Sequence, residues 1–345
     1  MSRTEKIREF LQDGEGVIIS GYPNIFYYSG FTSEDARLFI TKNRQILLTD
    51  SRYTVQAKKQ ASDFEIFDIE DGIDCIVRSL KEETFGFEEN VVTVSELARL
   101  QKFGKKLVPM SEKLNFPRRI KDEYEIDRIR KSEELASSAL LHTLEILKKG
   151  MTENEVAAEL EYYMKKNGAE KPSFNTIVAS GIRSSMPHGE ASDKIIEEGD
   201  FVTLDFGCVL DGYCSDMTRT VVISRCSDEQ RKIYDTVRKA QEAALNAISV
   251  GKKCSEIDAV ARTVIDEAGY GKNFGHSLGH SVGIEIHEFP NFSPKSKDVT
   301  VSGNVITVEP GIYIENFGGV RIEDVVVIGE KTENLTKFTK DLIII

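Results

Sequence analysis

The sequence predicts an α+β protein of two domains: a small α/β domain over residues 1–118 and a larger domain over residues 119–345. Three observations predict it. Short β-rich runs alternate with helical segments in the first third of the chain. A long amphipathic helix pattern starts just after Pro117. From there a plan of helix, helix and β-hairpin runs twice, over about 122–225 and again over about 228–330.

In the first domain GVIIS, NIFYYSGF, ARLFIT and QILLTD read as strands broken by Gly, Asn and Asp. YTVQAKKQA reads as a helix, and EIFDI, TFGFE and KLVPM as further strands. This stretch holds no histidine and no acidic pair of metal-ligand type. The long helix is expected to start near Lys121. Ile126, Ile129, Ala136, Leu140 and Leu147 form its apolar stripe, with Glu133 the only charged interruption. Gly150 is a stop signal. Thr152 with Glu155 makes a capping box for the second helix, and Ser227 with Gln230 caps the third. Ser255 is expected to open the fourth helix and Gly269 to close it. Each half then ends in an extended hairpin that bears two acidic residues.

Composition bounds the function. The chain has 40% hydrophobic and 30% charged residues, enough for sizeable cores. A net charge of -12 argues against nucleic acid or an anionic membrane as partner. The five cysteines are scattered and form no CxxC pair, which fits free thiols in a reducing cytoplasm. The charged N-terminal stretch has no apolar run of signal length, and no segment is apolar enough to span a bilayer.

The chemistry concentrates in the second half. FVTLDFGCVLDGYCSDMTRTVVI alternates like a strand pair around Asp211-Gly212, a strong hairpin turn. A two-residue loop there sets Asp205 opposite Thr218, with Asp216 its diagonal neighbour on the same face. Aspartate is depleted in strands, so Asp205 in an apolar strand calls for a reason. VITVEPGIYIENFGGVRIEDVVVI repeats the plan, with Glu309 held extended by Pro310 and Glu323 set among apolar residues. His276, His280 and His287 fall within twelve residues, His188 lies in MPHGE, and the whole chain has five histidines. His142, on the long helix, reads as a surface or packing residue. Asp205, Asp216, His280, Glu309 and Glu323 together make a donor set for two divalent ions. Without such cations the four carboxylates would repel and some would have to take up protons.

MPHGE, LDFG, SDMTRT, HSLGHSVGIEIHE, VEPGIY and GVRIED, in that order, resemble the metallopeptidase family of aminopeptidase P, prolidase and methionine aminopeptidase. NIFYYSGF and LLTDSRYTVQA resemble the amino-terminal domain of aminopeptidase P, prolidase and creatinase. The resemblance implies a pita-bread catalytic domain behind a creatinase-type domain. It implies that Asp205 binds one ion, that Asp216 and Glu323 bridge two, and that His280 and Glu309 complete the other's shell. It makes Glu309 the proton shuttle, with His287 and His188 contacting the reacting peptide. It places His276 and Arg321 at the proline end of the pocket, Arg321 also in contact with the bridging acids; Tyr313, four residues after Glu309, is a further pocket candidate. The ions are expected to be Mn²⁺, with Co²⁺, Zn²⁺ and Fe²⁺ compatible with the donors.

The substrates implied are short proline-containing peptides. Proline's tertiary amide resists most peptidases, because its ring fixes φ and removes the N–H. The LLTDSRYTVQA segment favours an Xaa-Pro aminopeptidase, with an Xaa-Pro dipeptidase (prolidase) as the alternative. A non-catalytic pita-bread binding module, or a metal-free enzyme like creatinase, is disfavoured by the complete donor set. A homodimer is expected, in which the amino-terminal domain walls an active-site cleft.

Overall fold

The computed structural model describes residues 2–69 and 73–345. It divides into two compact units, Met1–Arg118 and Arg119–Ile345. The first unit has strands β1 (Glu15–Ile19), β2 (Ala36–Thr41), β3 (Gln45–Thr49), β4 (Glu65–Asp68), β5 (Thr84–Phe87) and β6 (Lys106–Pro109). Its helices are α1 (Arg3–Arg8), α2 (Tyr22–Ser29), α3 (Thr54–Gln60), α4 (Ile73–Ser79), α5 (Val94–Gln101) and α6 (Ser111–Asn115). The strands form one mixed sheet in the order β4-β3-β2-β1-β5-β6. Ile18, Phe39, Ile46, Leu48 and Phe85 are part of its core.

One expected strand is a helix. NIFYYSGF lies largely in α2, because Pro23 sits in the first turn and Gly30 ends the helix in the left-handed conformation (φ 73°). Aromatic and β-branched composition points to a strand, but the terminal signals on either side decide the outcome.

The second unit carries four long helices, α7 (Glu123–Ile146), α8 (Glu153–Lys166), α9 (Asp228–Ala247) and α10 (Cys254–Glu267). Capping boxes start three of them: Asp122 with Glu125, Thr152 with Glu155, and Ser227 with Gln230. The fourth begins one residue before Ser255, with Lys253 at the N-cap and no side-chain cap. Between the helix pairs come β7 (Lys171–Pro172), β8 (Ile177–Ser180), β9 (Phe201–Phe206), β10 (Cys208–Leu210), β11 (Tyr213–Cys214) and β12 (Met217–Val222). After α10 come β13 (Gly279–Ser281), β14 (Glu288–Phe292), β15 (Val305–Val308), β16 (Gly311–Ile314), β17 (Gly318–Arg321), β18 (Asp324–Val327) and β19 (Glu333–Asn334).

Two apolar cores follow this plan, one for each half. Leu140, Leu160 and Met164 pack α7 and α8 onto Val202, Leu204, Met217 and Val221 of β9 and β12. Val237, Ile257 and Ile265 pack α9 and α10 among Ile306, Ile312, Val320 and Val326 of β15 to β18. The hairpin register is as the sequence predicts: Asp205 pairs with Thr218, and Leu210 with Tyr213. Asp211 and Gly212 both take positive φ (49° and 78°), the two-residue turn that matches strand twist.

Gly207 sits between the two acids of this hairpin. A Cβ there would meet Ser215 O at 1.9 Å. Gly207→Ala must therefore push two paired strands apart. The expected cost is about 2–3 kcal/mol, read as a lowered thermal midpoint. An unchanged midpoint would show that the hairpin has slack this geometry does not suggest.

Candidate metal centre

The paired hairpins bring the five expected ligands together. Asp205 comes from β9, and Asp216 from the turn of chain leading into β12. Glu323 lies just ahead of β18, Glu309 follows β15, and His280 is the middle of β13. Ligand atoms of Asp205, Asp216 and Glu323 all lie within 4.8 Å of one another, and all three residues are buried. His280 Nε2 stands 3.5 Å from Asp216 Oδ2 and 3.4 Å from Glu309 Oε1.

Packing these acids together strains their ionisation. Burial, then the charges of Glu323, Asp205 and Glu309, hold the Asp216 carboxyl well above its usual range. Burial, then Glu309 and Asp205, does the same to Glu323. Burial pushes Glu309 up to about 8, with Arg321 opposing and Asp205 adding. Burial brings His280 down to about 4, helped by His287, so its ring is neutral near pH 7. His280 Nδ1 lies 3.2 Å from the Ser281 carbonyl, which assigns the proton to Nδ1. The Nε2 lone pair then faces the carboxyl groups of Asp216 and Glu309.

Divalent cations fit this arrangement. Asp205 Oδ1 is buried and finds no hydrogen-bond donor among the described residues. The donor set is four carboxylates and a neutral imidazole, with the Arg321 guanidinium beside them. Two divalent ions would satisfy the orphaned oxygen, the bare lone pair and the surplus negative charge together.

Neighbours hold the candidate ligands in place. Asp216 N–H donates to Glu133 Oε1 at 2.7 Å, and Thr336 Oγ1 donates to Glu133 Oε2 at 2.9 Å. Glu133, the lone charge on the apolar stripe of α7, thus belongs to the site's support. Thr307 Oγ1 accepts from His280 N–H at 2.9 Å and donates to Glu309 Oε1 at 3.1 Å. Thr218 Oγ1 donates to Glu323 Oε2 at 2.7 Å and accepts from Arg321 Nε at 3.0 Å. Sequence reasoning misses Thr218 and Thr307, since threonine is at home in any strand. The available signal is spacing: Thr218 is two residues from Asp216, and Thr307 two from Glu309, each on its ligand's face. Thr218→Val keeps the shape and removes the hydroxyl. It should weaken divalent-ion binding by about tenfold or more, measured by competition with a fluorescent chelator.

Arg321 is held among the acids and by the pocket wall. Its guanidinium donates to Asp205 Oδ2, Thr218 Oγ1, Pro187 O and Tyr313 OH. Four of its five N–H groups are spent on the protein. Tyr313 O–H in turn points to His276 Nε2 at 2.9 Å, while His276 Nδ1 lies 2.8 Å from the Ser277 carbonyl. Burial, then Arg321, brings His276 down to about 4, which keeps it neutral as that chain of donors requires. His287 packs edge-on against His280, ring centres 4.4 Å apart. Both His188 and His287 are exposed to the cavity side. His142 stacks on Tyr163, outside the site.

A cavity of about 600 Å³ opens over the acids. His188, His276, His287, Arg321 and all five expected ligands line it, with Phe174, Ile177, Ile286 and Phe289 as apolar wall. Tyr313 stands behind His276 and Arg321. The arrangement can hold cations at one end and a short peptide along the rest.

Known proteins carry the same plan. Residues 127–330 match the model of metallopeptidase family M24, and residues 3–120 match the creatinase/prolidase N-terminal domain. An Xaa-Pro dipeptidase of Pyrococcus furiosus is 41% identical, with 99% of each chain covered. The structure of an Xaa-Pro dipeptidase from Bacillus anthracis is 40% identical over 99% of both chains, with a TM-score of 0.96. That of an X-Pro aminopeptidase from Thermotoga maritima is 40% identical over 100% of both, with a TM-score of 0.94. The chain belongs to metallopeptidase family M24, with its peptidase domain behind a creatinase/prolidase-type amino-terminal domain.

Proposed function

We propose that the protein hydrolyses the Xaa-Pro bond of short peptides, and that Xaa-Pro dipeptides are its main substrates. The carrying observation is the convergence of four carboxylates and His280 on one cavity in a chain of this family. On sequence grounds LLTDSRYTVQA favours an aminopeptidase acting on longer peptides. The relatives weigh the other way, since similar proteins covering the whole chain bear the name Xaa-Pro dipeptidase. The Thermotoga relative keeps the aminopeptidase as a second reading.

Asp205, Asp216, His280, Glu309 and Glu323 would hold two divalent ions, for which we propose Mn²⁺ on account of the oxygen-rich donors. When bound, such ions supply a Lewis acid for the scissile carbonyl and make water acidic enough to attack near neutral pH. Glu309, its Oε1 steadied by Thr307, takes the proton of the attacking water on Oε2 and passes it to the proline nitrogen. His287 and His188 present N–H donors from the cavity wall to the oxygen that gains charge. Arg321 offsets the acids through Asp205 and keeps the Tyr313–His276 chain in register. The reading includes a homodimeric cytoplasmic enzyme. Among the described residues no helix is long and apolar enough to cross a membrane.

The purified protein loaded with Mn²⁺ should cleave Ala-Pro at least about tenfold faster, by kcat/KM, than Ala-Pro-Ala, and should leave Ala-Ala intact. A tripeptide rate above the dipeptide rate would return the assignment to an aminopeptidase. Failure on both proline peptides would end the proline reading.

A further inference from the structure

His188 sits on an excursion of the chain that leaves β8 at Ser180 and returns at Ser192. Both ends of that excursion are gripped by one carboxylate. Glu153, the first residue of α8, is fully buried. Its Oε1 accepts from Ser180 N–H at 2.7 Å and Ser180 Oγ at 2.8 Å. Its Oε2 accepts from Ser192 N–H at 3.2 Å, from Ser192 Oγ at 2.7 Å, and from the Arg183 guanidinium. Five donors converge on this one carboxylate, all from Ser180, Arg183 and Ser192 and none shared with the candidate metal-binding acids. Arg183 then crosses the excursion, donating to the Glu190 carbonyl at 2.9 Å.

The segment so clamped is tied to the reaction site at its tip. The Pro187 carbonyl, next to His188, accepts from Arg321 at 3.2 Å. Ser184 Oγ accepts from Gly319 N–H at 2.8 Å and so fixes the segment to β17, the strand of Arg321. Among the described residues, the exposed His188 ring has no comparable anchor of its own. Its place over the cavity is set by its neighbours in the chain.

We infer that Glu153 is a positioning residue for His188: the Glu153–Arg183 clamp holds the 181–191 segment so that the imidazole meets the substrate. The inference rests on the proposed role of His188. It does not involve the acids of the metal centre, so it predicts a loss of rate without a loss of metal. Glu153→Gln keeps the volume but sets amide hydrogens against the Ser192 and Arg183 donors. The tip then drifts, and small displacements of a positioned group are costly to rate.

The test is a double-mutant cycle on the Mn²⁺-loaded enzyme with Ala-Pro as substrate. His188→Ala should lower kcat/KM by about 100-fold, and Glu153→Gln by about tenfold to 100-fold. Each should keep the parent's metal content by elemental analysis. The double variant should be no more than about twofold worse than His188→Ala alone, because a clamp has nothing left to position once the imidazole is gone. Losses that multiply would assign Glu153 a merely structural role and overturn the inference. Parental kcat/KM in Glu153→Gln would overturn it as well, while leaving His188 in place. Parental activity in His188→Ala would remove the role of His188 and the inference with it. Should Glu153→Gln not fold, Arg183→Met cuts one arm of the clamp and is read by the same cycle.

Discussion

Asp216→Asn is expected to purify folded, to bind less than one divalent ion per chain, and to turn over Xaa-Pro peptides at least about 10³-fold more slowly than the parent. Asp216 is enclosed by the three other acids and touches the His280 ring. An amide offers one neutral oxygen where the carboxylate offers two that can carry negative charge. Divalent ions held by Asp216 and its neighbours would then lose part of the charge that binds them. The same change should have the opposite effect on the metal-free protein. Folded-state values of Asp216, Glu323 and Glu309 lie above the usual carboxylate range, Glu309 at about 8. Groups shifted upward favour the fold at low pH, and that advantage disappears as pH rises through the folded value. Metal-free parent should therefore lose stability between about pH 5 and 9. The loss should amount to a few kcal/mol, since each tenfold change in proton affinity is worth about 1.4 kcal/mol. Asp216→Asn carries one fewer of these acids and should melt higher than the chelator-treated parent at pH 8–9. Melting curves with and without EDTA across that range decide it. A metal-free parent equally stable at both ends, or a variant with parental turnover, would contradict the reading of a charge-crowded metal centre.

How much of this is legible in the sequence depends on the kind of signal. Asp205 in its apolar strand and Glu323 among apolar neighbours stand out because neither acid has a packing reason to be there. The Asp211-Gly212 turn sets the register that puts Asp205 opposite Thr218, and the structure has that pairing. Capping boxes mark two helix starts because their chemistry lies within four residues of chain. What escapes depends on distant contacts. Glu133 is visible as an oddity on its helix stripe, but its partner Asp216 is eighty-three residues away. Glu153 looks like any first-turn acid, although it gathers donors from both ends of a later segment. NIFYYSGF misleads because its aromatic composition reads as a strand, whereas Pro23 and Gly30 at its ends make it a helix. Substrate length is not legible either. Similar proteins named Xaa-Pro dipeptidase and X-Pro aminopeptidase match the whole chain at nearly the same identity, 40–41%.

Glu309→Gln separates holding the ions from moving the proton. Among the candidate ligands, Glu309 meets the His280 ring and sits where burial makes its protonated form accessible near neutral pH. Glutamine keeps the length, keeps an oxygen acceptor for Thr307, and cannot carry a proton. Metal content should stay above one ion per chain, with KM for Ala-Pro within about threefold of the parent, since little ground-state binding is lost. The expected fall in kcat is about 10³-fold, within the usual contribution of a positioned acid–base group. Glu309→Asp should recover part of that rate, because a shorter carboxylate can still shuttle a proton once the metal shell relaxes. This ordering, Gln far below Asp at comparable metal content, is specific to a proton role. If the two variants fall together and both lose metal, Glu309 is a ligand alone, and the proton role passes to the exposed imidazoles that line the cavity, His287 and His188.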